Sequence, residues 1–213
     1  MRKIKVNSNE EIIPGIFILK FKRPFTFIPG QVIGITTSEQ ITARLYSIAS
    51  GKDDPDISIL YNRVEDGKLT PDLSRLRKGE TLLVSDPFGS FTDTRIPSWW
   101  IATGTGVAPF ISMIRSGITE QKTLVQGART RESFYFSGEL EKSLENHYIR
   151  CCSGENLTGY FPGRVTDFLV AENNLPTDNM YYLCGSAEMV VSTRDILISR
   201  NIPFSNIVSE IYF

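Results

Sequence analysis

Short runs of apolar and β-branched residues separated by turn-forming residues dominate the first part of the chain, at 16–22, 32–36, 45–49, 57–64 and 81–85. Each run reads as a strand, and several short strands at this spacing predict a small antiparallel barrel. One helical candidate interrupts them. Gly67-Lys68-Leu69 makes a turn, Thr70 is placed to cap, Pro71 suits the first helical position, Leu73 and Leu76 face one way, and Gly79 ends the segment. After Pro97 the rhythm changes. Apolar runs at 99–103, 123–127, 148–152, 180–184 and 207–212 alternate with helix-like segments at 107–115, 138–145, 164–171 and 188–200, the pattern of a parallel α/β sheet. The pattern therefore predicts two domains: an antiparallel β-barrel over residues 1–95, and an α/β domain with a five-stranded parallel sheet over 96–213. No internal repeat or low-complexity tract is present.

Composition narrows the chemistry. The 213 residues carry 23 Lys and Arg against 24 Asp and Glu, so no global field favours nucleic acid or an anionic membrane. The charged N-terminus lacks the apolar stretch of a signal peptide, and no run approaches the roughly 20 apolar residues of a membrane span. Cys151 and Cys152 are adjacent, Cys184 stands apart, and His147 is the single histidine, with no CxxC or HxxxH spacing. A four-thiolate iron-sulfur cluster cannot be built from three cysteines, and no metal site is expected. The odd cysteine count suits a reducing compartment, so a cytoplasmic protein is expected.

Three constellations carry candidate chemistry. Gly104-Thr105-Gly106-Val107-Ala108-Pro109 falls where a strand gives way to a helix, and such a turn lets backbone approach a phosphate, although the same turn also occurs without a ligand. The next strand ends in Gly127-Ala128-Arg129 with no acid there for a ribose hydroxyl, and an arginine at that point suits a 2′-phosphate. Arg164, after Gly163, has the same character; both also read as solvated surface arginines. In the barrel half, Arg44-Leu45-Tyr46-Ser47 projects Arg44 and Tyr46 to one face of a strand. A charge beside an aromatic ring fits a ligand bearing phosphate and a flat ring, or an ordinary strand pair. Trp99 and Trp100 read as packing, His147 as a surface residue, and Cys151 and Cys152 point to opposite strand faces with no role assigned.

The strings RLYSIAS, GKLTPDLSRLRKGE, ATGTGVAPF, GART, YLCGS and the terminal EIYF, in this order, resemble the ferredoxin-NADP reductase family from about Phe25 to the last residue. The resemblance implies an FAD-binding barrel followed by an NAD(P)-binding α/β domain, with hydride passing between nicotinamide and flavin. It implies that Arg44 contacts the FAD pyrophosphate, with Leu45 in the same contact strand, that Tyr46 packs on the isoalloxazine, and that Ser47 bonds the ring nitrogen that receives hydride. Gly67, Lys68, Leu69 and Thr70 would present backbone amides to the pyrophosphate. Tyr212 would cover the other flavin face and Phe213 the adenine. Cys184 would help place the nicotinamide carbon, with Glu210 near Ser47 assisting proton balance. Thr103, Thr105 and Gly106 would border the flavin, Gly185, Ser186 and Met189 the nicotinamide end, and Ala128, Arg129, Ser153 and Arg164 the adenosine end.

Where NADP-specific relatives carry Ser-Arg-Glu, this chain has Ser153-Gly154-Glu155. A lost charge-assisted hydrogen bond, worth about 1.5–3 kcal/mol, weakens NADP binding by roughly ten- to a hundredfold. Arg129 and Arg164 remain, so NADP(H) is favoured over NAD(H). The implied partner is a separate ferredoxin or flavodoxin, and a monomer or weak dimer is expected. The competing readings are a reductase component of an oxygenase, a free-flavin or ferric reductase, and a nucleotide-binding interaction module without turnover.

Overall fold

A computed structural model describes residues 1–94 and 96–212. The chain divides into two compact units, Met1–Thr92 together with Ala108–Gly117, and Asp93–Val107 together with Ile118–Phe213.

The first unit holds six antiparallel strands, β1 (Arg2–Ile13), β2 (Ile16–Lys22), β3 (Val32–Thr36), β4 (Arg44–Ser47), β5 (Asp56–Asn62) and β6 (Thr81–Val84), ordered β4-β3-β6-β1-β2-β5. A bridge between Ile48 and Ile59, with Ala49 N–H donating to the Ser58 carbonyl at 2.8 Å, joins the two outer strands and closes the barrel. Closure leaves the interior to alternate side chains, and Leu19, Phe21, Ile33, Ile35, Ile57 and Ile59 fill it. The β1 strand has no counterpart in the hydrophobic pattern, because only Val6 along it is buried and its ladder to β2 is interrupted on either side of 8–11.

Helix α1 (Thr70–Arg75) differs from the expectation in its start. Leu69 occupies the cap position, with no side-chain cap bond. The Thr70 hydroxyl instead accepts from Val64 N–H at 2.9 Å, closing the preceding loop. The eight-residue helix α2 (Ala108–Arg115) also groups with this unit: Ser112 donates to the Ser50 carbonyl at 2.7 Å and Arg115 to the Ala49 carbonyl at 2.9 Å.

The second unit is a parallel sheet of β7 (Ser98–Thr103), β8 (Lys122–Ala128), β9 (Tyr148–Cys152), β10 (Phe161–Pro162), β11 (Met180–Ser186) and β12 (Ile207–Tyr212), ordered β10-β9-β8-β7-β11-β12. It has six strands where five were expected; β10 is two residues long and ends in proline, too short to leave a periodic signal. Helices α3 (Ser137–Leu144), α4 (Val165–Ala171) and α5 (Ala187–Ser199) connect the strands. Strand order reverses between β7 and β11, and the crevice at the carboxyl ends of these strands is where open α/β sheets bind ligands.

The opposite end of the sheet is held by a buried ionic cluster. Lys122 Nζ donates to Asp93 Oδ1 at 2.9 Å and to the Ile96 carbonyl at 2.7 Å, while Ser98 and Trp100 donate to Asp93 Oδ2 at 3.1 and 3.3 Å. Among the described residues, no helix is long and apolar enough to cross a membrane.

Candidate functional site

At the reversal point β7 ends in Thr103 and the chain turns through a short 3-10 helix, Gly104–Val107. This turn lies directly on the end of β11. A Cβ at Gly106 would stand 2.6 Å from the Cys184 carbonyl carbon and 2.8 Å from Gly185 N, backbone atoms that have little room to yield. Beside it Ser186 caps α5, its hydroxyl accepting from Met189 N–H at 3.4 Å.

A cleft of about 560 Å³ opens over these strand ends. That volume lies within the roughly 300–1,000 Å³ of small-molecule sites. Of the residues expected at a nucleotide, Thr103, Ala128, Arg129, Ser153, Arg164, Ser186 and Met189 line it; Thr105, Gly106 and Gly185 do not. Gly106 and Gly185 are instead buried beneath the turn. The Arg129 guanidinium makes no hydrogen bond or ion pair among the described residues. Arg164 begins α4, where Asp167 Oδ2 accepts its N–H at 2.7 Å, and its guanidinium lies 3.4 Å from Glu188 Oε1. Two guanidiniums over a part-apolar floor suit a polyanion attached to flat rings.

Cys184, Glu210 and Tyr212 meet at the paired ends of β11 and β12, Cys184 opposite Glu210 and Ser186 opposite Tyr212. Residues two apart on a strand share a face, so Glu210 and Tyr212 flank the Cys184 thiol. Burial first, and then the Glu210 carboxylate, push that thiol well up, against a hydrogen bond with Tyr212. A thiol raised in this way stays neutral at physiological pH and lacks the thiolate that a nucleophile needs.

The barrel unit presents its own set of groups. On β4, Arg44 and Leu45 are exposed and Ser47 is buried. Tyr46 sets its ring edge-on to Tyr61, with centroids 6.1 Å apart. Burial pushes the Tyr46 phenol up to about 12 while the neighbouring Arg44 pulls it down. The Arg44 guanidinium makes no hydrogen bond or ion pair among the described residues, and the N–H groups of Lys68 and Leu69 make no hydrogen bond there. Unpaired cationic and N–H donors beside a half-buried aromatic ring fit a group that carries both phosphate and a flat ring.

The sequence reading missed the link that holds these pieces together. Tyr61 donates to Asn9 Oδ1 at 3.0 Å, and Asn9 Nδ2 donates to the Leu73 and Leu76 carbonyls at 2.9 and 3.2 Å. Asn9 thereby ties the end of α1 to the residue behind Tyr46. No periodic signal marks it, because it lies on the polar strand β1. Cys151, given no role, lines the cleft, and burial pushes its thiol up to about 12. Phe213, expected over the adenine, lies outside the described residues.

Residues 100–195 match the family model described as oxidoreductase NAD-binding domain. A ferredoxin-NADP reductase from Pseudomonas aeruginosa is 30% identical, covering 86% of this chain and 83% of its own. Terephthalate 1,2-dioxygenase reductase component 1 from a Comamonas species is 27% identical, covering 98% of this chain and 67% of its own. The crystal structure of a ferredoxin NADP+ reductase from Neisseria gonorrhoeae with bound FAD and NADP aligns with a TM-score of 0.89 over 100% of this chain and 98% of that one; at 19% identity the likeness is one of fold.

Proposed function

The chain belongs to the ferredoxin-NADP reductase family, and from that premise we propose that it passes electrons between NADPH and a separate ferredoxin or flavodoxin. It is an FAD-dependent NAD(P)H oxidoreductase. FAD, when bound, supplies the exchange between a two-electron hydride donor and a one-electron carrier. The barrel contributes the flavin contacts: Arg44 and the N–H groups at Gly67, Lys68, Leu69 and Thr70 hold the pyrophosphate, Tyr46 with Leu45 beside it packs on the ring, and Ser47 bonds the ring nitrogen. The α/β unit contributes the nicotinamide cleft. Thr103, Thr105 and Gly106 border the flavin, Gly185, Ser186 and Met189 shape the nicotinamide end, and Ala128, Arg129, Ser153 and Arg164 take the adenosine end.

Hydride transfer depends on close, aligned donor and acceptor, so Cys184 and Tyr212 act by positioning and Glu210 holds or releases a proton at its carboxylate. The observation that carries this reading is the 560 Å³ cleft at the sheet's reversal point, with Arg129 and Arg164 on its wall. Those two arginines also support the preference for NADPH over NADH.

A second reading, the reductase component of an oxygenase, draws support from the Comamonas relative. Both readings place the one-electron acceptor outside these residues, whose three buried cysteines cannot ligate a four-thiolate cluster. Steady-state assays with NADPH and purified carriers from the same cell separate them. We expect a ferredoxin or flavodoxin to be reduced at a catalytic rate. Reduction only of an oxygenase's own iron-sulfur component would favour the second reading, and reduction of free flavin or ferric complexes alone would remove both.

A further inference from the structure

We infer that Glu188 sets how strongly the cleft discriminates NADPH from NADH, by competing with the cofactor's 2′-phosphate for Arg164. The inference rests on the cofactor reading above and concerns a residue to which that reading gives no role.

Three observations support it. Glu188 and Arg164 both line the cleft, so the acid is inside the site and not behind it. Glu188 Oε1 lies 3.4 Å from Arg164 Nη1, and both side chains are largely solvent-exposed, at 81% and 69%. An ion pair that exposed is weak and exchangeable, so an incoming phosphate can displace the carboxylate from the guanidinium. The displaced carboxylate remains tethered close by, because Glu188 sits in the first turn of α5, which Ser186 caps. It stays beside the bound phosphate as a like charge.

The third observation is that this chain has no room for the missing cation. Gly154 N–H donates to the Arg129 carbonyl at 2.9 Å, and a Cβ at 154 would stand 2.5 Å from that oxygen and 2.8 Å from Arg129 Cγ. An arginine at 154 would push away the segment that presents Arg129. Among the described residues that line the cleft the cations are Arg129 and Arg164, and Glu188 offsets one of them. For NADH the same carboxylate is an asset, since it can accept a hydrogen bond from the ribose 2′-hydroxyl.

The test is isothermal titration of the FAD-loaded protein with adenosine 2′,5′-bisphosphate and with AMP, which reports binding without turnover. In Glu188→Gln the ratio of the AMP dissociation constant to that of the bisphosphate is expected to rise by about fivefold. Glu188→Lys, which adds a cation, is expected to raise it further. An unchanged ratio in both variants would overturn the inference while leaving the cofactor reading intact. Failure of the wild-type protein to bind either nucleotide would overturn the cofactor reading, and the inference with it.

Discussion

Gly106→Ala slows NADPH-driven reduction of the bound flavin by about 100-fold or more, the loss expected when reacting groups are displaced by about 1 Å. The added methyl meets the Cys184 carbonyl and Gly185 N, so the turn after β7 and the end of β11 must separate. Those two segments belong to the unit proposed to place the nicotinamide end, whereas the flavin contacts proposed on β4 and before α1 belong to the other unit. Flavin content should therefore stay at the wild-type level while the single-turnover rate falls. Gly138→Ala is the control, because nothing lies within 4 Å of a Cβ there. Stopped-flow absorbance on both variants checks the result; a Gly106→Ala protein reduced at the wild-type rate would show that the close approach has no part in hydride transfer.

Lys122→Met should destabilise the second unit by about 3–5 kcal/mol, the range found when one partner of a buried ion pair is removed. The side chains of Lys122 and Asp93 are 2% and 0% exposed, so methionine removes the ammonium partner of an interior carboxylate to which Ser98 and Trp100 still donate. For a chain of this size the loss corresponds to a fall in Tm of about 6–20 °C. Adding Asp93→Asn removes the buried negative charge while keeping an acceptor for Ser98 and Trp100, and should recover more than half of the loss. Thermal denaturation of the single and double variants measures the coupling directly. A single variant melting within about 2 °C of wild type would mean that the pair contributes nothing net.

These two sites differ in how visible they are in the sequence. The turn around Gly106 is legible because glycines, a preceding apolar strand and a following helix come together, and that combination has few structural causes. The second sheet is legible for a similar reason. Strands buried on both faces read as continuous apolar runs, as in Trp100-Ile101-Ala102 and Tyr181-Tyr182-Leu183-Cys184, all buried. Strand β1 is not legible, because its twelve residues include only one buried position and carry Lys3, Lys5, Glu10 and Glu11. Pairing on both sides by β6 and β2 makes it a strand, and pairing is a property of neighbours rather than of its own pattern.

The same limit applies to individual side chains. Asp93 precedes the second sheet in a segment with no periodicity, and its partners Lys122, Ser98 and Trp100 are brought to it by the fold. Asn9 and Glu188 look like solvated polar residues until Tyr61 and Arg164 are placed against them. Thr70 shows the converse error. Its position before Pro71 matched a cap motif, but the loop ending at Val64 lies within reach of its hydroxyl and takes the bond. Residues that act through a tertiary partner are visible only with the fold.

The most direct test of the central claim is an anaerobic absorbance titration of the purified, FAD-loaded protein with NADPH and, separately, with NADH. The account predicts that the visible flavin absorbance is lost with about one NADPH per flavin, as a single hydride donor per two-electron acceptor requires, and that NADH produces the same loss only at higher concentration. A protein that binds no flavin, or whose flavin absorbance is unchanged by either nucleotide, would contradict it.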